Sequence, residues 1–159
     1  MQLFVIRHAR AEDSSDDQAD ASRDLTPDGK REFKRVVHGL RTLEERFTRV
    51  ITSPWARAES TAKLLLRKRE PIVTPLLCQS PRAELLAMIG EATGDKQTVV
   101  VGHQPWLGEL VAWLAFGDMK HGEAIELKKG AVVSLDGTAY PGGMTLRAIL
   151  PPRVLRAVR

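Results

Sequence analysis

One cysteine in 159 residues, Cys78, has no partner for a disulfide within the chain, and no CxxC or HxxxH spacing supplies a zinc-type ligand set. A reducing cytoplasm is the expected compartment. Long apolar runs are missing as well. The N-terminal run stops after Leu3 to Ile6, and the longest elsewhere, Leu110 to Phe116, is far short of a membrane span, which needs ~20 residues. Neither a signal peptide nor a transmembrane segment is read, and no membrane partner is expected. Charge of one sign is scarce: 24 Lys and Arg stand against 20 Asp and Glu, a net +4. That excess suits an anionic substrate and falls short of the basic stripe of a nucleic-acid binder. "GEATGDK", from Gly90, lacks the spacing of a phosphate-binding P-loop. With no repeat and no low-complexity linker, residues 1–159 are expected to form one domain.

What is present alternates. Leu3 to Ile6 reads as a buried strand, and "EDSSDDQADASRD" after it as an exposed acidic loop. "LTPDGKREFKRVVHGLRTLEE" reads as a helix with Thr26 as N-cap, Pro27 at the first position, and Phe33, Val36, Val37, Leu40 and Leu43 on its apolar face. A strand at Arg49 to Thr52 precedes a helix capped by Ser53, opened by Pro54 and running to about Arg69, whose C-terminal cations Arg67, Lys68 and Arg69 suit the helix dipole. A short strand at Ile72 to Thr74, a helix over "PRAELLAMIGEA", a turn at "GDK" and a strand at Thr98 to Val101 follow. "QPWLGELVAWLAF" is a helix with Pro105 at its first position, and "AVVSLDG" and "MTLRAIL" form an antiparallel pair across "DGTAYPGG". The final "RVLRAVR" reads as a solvated tail. The pattern implies an α/β fold, a three-layer α/β/α sandwich on a mainly parallel sheet with an antiparallel edge. Such sheets carry their sites outside the carboxyl ends of the strands.

Three short motifs fall at those ends: Arg7 and His8 after the first strand, "TSPWARAESTA" after the second, and "VVVGHQP" with His103 after a later one. Arg57 lies in the first turn of its helix, where the dipole disfavours a cation by ~0.3 to 1 kcal/mol unless an anion is near. Gly102 gives the backbone room to approach a ligand, and Gln104 and Pro105 open a helix whose unpaired N–H groups face the same edge. Two imidazoles, two guanidiniums and a helix N-terminus suit a phosphate.

At these residues the chain resembles the histidine phosphatase, or phosphoglycerate mutase-like, superfamily. "RHA" stands where the family has RHG, "SPWARAESTA" matches S-P-x-x-R-A-x-x-T, and "VGHQP" matches the later histidine. Over most of its length, including "DLTPDG" and "LKKGAVVSLDG", it looks most like the short SixA-type phosphohistidine phosphatases. Ala9 for glycine is the departure. The resemblance implies His8 as nucleophile, with Arg7, Arg57, His103 and the Gln104 backbone binding the phosphoryl group. It implies metal-independent chemistry without a cofactor, since these groups supply the positive charge.

Substrate class depends on the leaving group. An alkoxide needs a general acid, and the one candidate in the expected region is Glu84 in "QSPRAELL", where a carboxylate favoured by the helix dipole is an equal reading. Imidazole is a far better leaving group, and a short chain has no spare segment to roof the cleft. The expected partner is a phosphohistidine-bearing protein, such as a histidine phosphotransfer domain. A small phosphate ester is the alternative substrate, and a non-catalytic phosphoprotein-binding module is a third reading.

Overall fold

The computed structural model describes residues 1–43, 47–91 and 97–159. The turn expected at "GDK" and the last residues of the expected first helix lie outside them. Six strands form one sheet: β1 (Gln2–Arg7), β2 (Arg49–Thr52), β3 (Ile72–Val73), β4 (Gln97–Gly102), β5 (Val132–Gly137) and β6 (Met144–Leu150), in the order β3-β2-β4-β1-β5-β6. The first four neighbours run parallel, and β5 and β6 complete the sheet antiparallel, as the sequence pattern implied.

Both faces of the sheet are covered. Along β1 the side chains alternate: Phe4 and Ile6 join one core, and Leu3 and Val5 the other. The first core takes Phe33, Val36 and Leu40 from α1 (Pro27–Thr42), Ala58 and Ala62 from α2 (Ala56–Leu65), and Leu155 from α5 (Pro152–Ala157). The second takes Leu85 and Ile89 from α3 (Ala83–Gly90) and Leu107, Val111 and Leu114 from α4 (Trp106–Phe116). β4 reads as a continuous apolar run, Val99 to Val101, because it is buried on both sides. No helix among the described residues is long and apolar enough to cross a membrane.

Thr26 caps α1 as expected, its side chain accepting from the Gly29 N–H at 2.9 Å with Pro27 in the first turn. Five expectations need correction. Leu43 is half exposed, because α1 ends at Thr42 and Leu43 is already its C-cap. The second helix starts at Ala56, since Ser53 Oγ accepts from the Trp55 N–H at 3.0 Å and turns the chain before the helix can begin. It stops at Leu65, with Leu66 extended. Ten residues span ~15 Å, enough to cross the ~13 Å of β2, and the chain must then return to pair β3 with β2. Arg67, Lys68 and Arg69 therefore lie beyond the helix. Finally, the C-terminal segment is no solvated tail: Pro152 opens α5, and Leu155 is fully buried against α1. The fit there is close, since a Cβ on Gly39 would meet the Leu155 carbonyl oxygen at 2.1 Å. Pro105 is likewise the N-cap of α4 and Trp106 its first residue.

Candidate active site

Register brings the motifs together. Arg7 pairs with Gly102 across β1 and β4, so His8 and His103 leave neighbouring strands at the same level. Thr52 pairs with Val101, which brings Ser53 and the start of α2 to that edge. The two imidazole centroids lie 5.3 Å apart, and both rings are buried. Arg7, His8, Arg57, His103 and Gln104 all line one cavity of about 490 Å³.

Arg7 and Arg57 are held by long-range partners, and His8 by the next residue in the chain. Arg7 Nη1 donates to the Leu127 carbonyl at 2.7 Å. His8 Nδ1 lies 2.7 Å from the Ala9 carbonyl oxygen. A carbonyl only accepts, so Nδ1 carries the proton and Nε2 keeps its lone pair. Ala9 fits where the related motif has glycine, its N–H donating to Thr61 Oγ1 at 3.0 Å. Arg57 is almost fully buried; Nη1 donates to the Asp20 carbonyl at 2.8 Å and Nη2 to its carboxylate at 3.1 Å. Arg23 Nε donates to the same carboxylate at 2.8 Å. Part of the expected acidic loop is thus docked on the site.

Ser53 is more than a helix cap. Its Oγ accepts from Trp55 N–H and lies 3.5 Å from the Cys78 thiol and 2.7 Å from His103 Nε2; with the thiol donating, the hydroxyl proton goes to Nε2. His103 then carries its own proton on Nδ1. That atom, Arg7 Nε and Arg57 Nε are buried without a hydrogen-bond partner among the described residues. Burying a polar donor unpaired costs ~1 to 3 kcal/mol, and all three belong to residues lining the same cavity. An anion with several acceptor oxygens would satisfy them.

The field in the cavity is positive. Burial, and then the charges of Arg57, Arg7 and Lys129, push the His8 pKa down to about 4, against the opposing hydrogen bond to Ala9. Burial, then His8, Arg57 and Arg7, push His103 down to about 3, opposed by Asp20. Both imidazoles are neutral at pH 7. Asp20 stays ionised: the Arg23 hydrogen bond, with weaker help from the hydrogen bond and charge of Arg57, holds its pKa below the usual carboxylate value against the opposing effect of burial.

Two expectations about individual residues change here. Glu84 is exposed in the first turn of α3 and does not line the cavity, so it is no general acid for this site. Gly102 serves packing instead of ligand approach, since a Cβ there would sit 3.1 Å from Leu107 Cδ2. Gln104 spends its side chain on the Gly108 N–H and the Ile125 carbonyl, both at 2.8 Å, so only its backbone is left for the cavity. The sequence reading missed Asp20 as a partner for Arg57, Arg23, and the indoles of Trp55 and Trp106, which line the cavity too. Only Trp55 had a signal, since it lies within the quoted motif. Among the described residues no group of three or more His, Cys, Asp or Glu is placed to hold a metal ion.

The family model of the histidine phosphatase superfamily (branch 1) matches residues 3–78. The phosphohistidine phosphatase SixA of Escherichia coli (strain K12) is 30% identical over 125 residues, 74% of this chain and 76% of that protein. The chain belongs to the histidine phosphatase superfamily. Within that superfamily the structure of the protein histidine phosphatase SixA complexed with tungstate superposes at a TM-score of 0.78 with 26% identity, covering 98% of this chain and 99% of that one. The superfamily fold extends to other phosphatases. Phosphoserine phosphatase of Entamoeba histolytica, in complex with 3-phosphoglyceric acid, shares the fold at a TM-score of 0.74 and 15% identity, over 97% of this chain and 98% of that one.

Proposed function

We propose that this chain, acting as one histidine phosphatase domain, is a metal-independent phosphatase that works through a phosphohistidine on His8, and that its substrate is a phosphohistidine displayed on a protein. The observation that carries the reading is the set of unpartnered buried donors, Arg7 Nε, Arg57 Nε and His103 Nδ1, around the same cavity as the free Nε2 of His8. His8 Nε2 attacks phosphorus in line, the bond from phosphorus to the leaving group breaks, and the leaving group takes the electron pair. The arginines, the His103 Nδ1–H and the Gln104 backbone N–H donate to the phosphoryl oxygens as their charge spreads. Water then attacks the phosphohistidine, releasing inorganic phosphate and restoring neutral His8.

Leaving-group chemistry supports the phosphohistidine substrate. Glu84 is away from the cavity, and Asp20, which borders it, is held ionised by Arg23 and Arg57 and has no proton to give an alkoxide. A protonated imidazole departs as a neutral ring and needs no such acid. Similarity to SixA supports the same choice. The test is kcat/KM for a phosphohistidine protein against a panel of phosphate monoesters. The phosphohistidine protein should be preferred by at least about ten-fold, and a monoester hydrolysed faster would overturn the substrate assignment.

A further inference from the structure

Once the phosphoryl-binding groups are assigned, the rest of the cavity wall has a composition of its own. Among the described residues its only apolar side chains are two indoles, Trp55 and Trp106. Both stand at helix starts, Trp55 as the N-cap of α2 and Trp106 as the first residue of α4, and both are half-buried. They flank His103, with ring centroids 4.6 Å and 6.2 Å from its imidazole, and pack edge-to-face on each other at 6.0 Å and 70°.

The two rings are not equivalent. Trp55 already has occupants, since the Arg57 guanidinium lies 4.7 Å from its centroid and His103 is tilted against it. Its role is to support the phosphoryl-binding groups. Trp106 makes edge contacts with Trp55 and His103, lines the cavity, and has no cation over its ring among the described residues. Glu12 and Asp13 line the same cavity as carboxylates. Two further cations stand in the wall: Arg23 is tied to the Asp20 carboxylate and the Glu12 carbonyl, and Lys129 precedes Gly130, whose N–H is shared between the Arg7 and His8 carbonyls, so it belongs to the nucleophile's side. An indole and carboxylates together favour a flat ring carrying positive charge and disfavour an anion.

We infer that Trp106, backed by Trp55, is a stacking subsite for a planar, positively charged leaving group, of which a protonated imidazole is the fitting chemistry. The inference rests on His8 being the nucleophile, as proposed above, and adds what sits on the departing side. Stacking holds the ring while the N–P bond breaks, and cation–π attraction favours the protonated form whose departure as a neutral imidazole needs no acid from the protein.

The experiment compares three small substrates in wild type, Trp106→Ala, Trp106→Leu and Trp106→Phe. Phosphoimidazole has a planar cationic leaving group, phosphoramidate one that is cationic but not planar, and an alkyl phosphate one that is neither. Trp106→Ala and Trp106→Leu should lower kcat/KM for phosphoimidazole about three- to ten-fold, mainly through KM. Phosphoramidate and competitive inhibition by orthophosphate should stay within about two-fold, and Trp106→Phe should recover most of the loss. A parallel fall for phosphoimidazole and phosphoramidate, no fall, or phenylalanine behaving as alanine would overturn the subsite. If wild type prefers monoesters, an aryl phosphate replaces phosphoimidazole: selective loss of aryl over alkyl turnover keeps the stacking surface while the phosphohistidine substrate falls. If no substrate turns over, the nucleophile assignment falls and takes the subsite with it.

Discussion

His8 is held as a single tautomer by one carbonyl, and that hydrogen bond leaves Nε2 with the lone pair that the proposed attack on phosphorus requires. His8→Ala should abolish turnover, and the acid-labile label taken up from a radioactive phosphoryl donor should vanish; label persisting on the variant would place the nucleophile elsewhere. Arg57→Lys is not a conservative change, because the guanidinium grips Asp20 with both Nη atoms and still has Nε for the cavity, whereas lysine has one point charge. Inhibition by vanadate should weaken by about ten-fold or more, and unchanged inhibition would argue that Arg57 does not reach the anion. The histidines also set an acid limit on stability. Both have pKa values depressed below the unfolded 6.5, to about 4 for His8 and about 3 for His103, so the folded chain binds fewer protons than the unfolded one in that interval. Above pH 6.5 the two states carry the same charge at these positions and nothing is lost. As pH falls from 6.5 toward 4 the unfolded chain is favoured progressively. Thermal unfolding across that range should show a falling Tm whose slope is shallower in His103→Asn.

At the scale of elements, the strand ends were legible because each motif is local. "RHA", "SPWAR" and "VGHQP" follow apolar β-branched runs, and an α/β sheet aligns such ends. What was not legible depends on contacts between distant segments. Ser53 has the sequence signature of a helix cap, and only the pairing of β2 with β4 shows that it reaches His103, 50 residues away. Asp20 is one of six acidic residues in a polar stretch, with nothing local to distinguish it as the partner of Arg57. Glu84 had a suitable position in the chain and an unsuitable one in space. The C-terminal helix escaped for the same reason: its apolar residues are few, but Leu155 enters the core through the gap that Gly39 leaves in α1. Leu155→Ala should therefore cost about 2 to 5 kcal/mol in denaturant unfolding, while orthophosphate inhibition of the folded fraction stays unchanged. Loss of both together would mean that α5 supports the site directly.

Across the whole molecule a net charge of +4 coexists with carboxylates at the border of a cationic cavity. Asp20 is tied into the arginines, but Glu12 and Asp13 line the cavity and form no salt bridge among the described residues. Replacing both with their amides should raise kcat/KM for small polyanionic esters, without improving a protein substrate. The effect should shrink as salt shortens the screening length to ~10 Å at 0.1 M. Equal gains on both substrate classes would leave these carboxylates without a selective role. The tryptophans have a further consequence, which is optical. Two of the chain's three tryptophans line the cavity, one against Arg57 and both against His103, while Trp113 packs on the core of α4's side of the sheet. Intrinsic fluorescence is therefore weighted toward the site. Titrating vanadate should shift the emission of Trp55 and Trp106 along the same curve that describes inhibition, and protonating His103 in acid should quench it, so that occupancy can be followed without a label in the same cuvette as turnover.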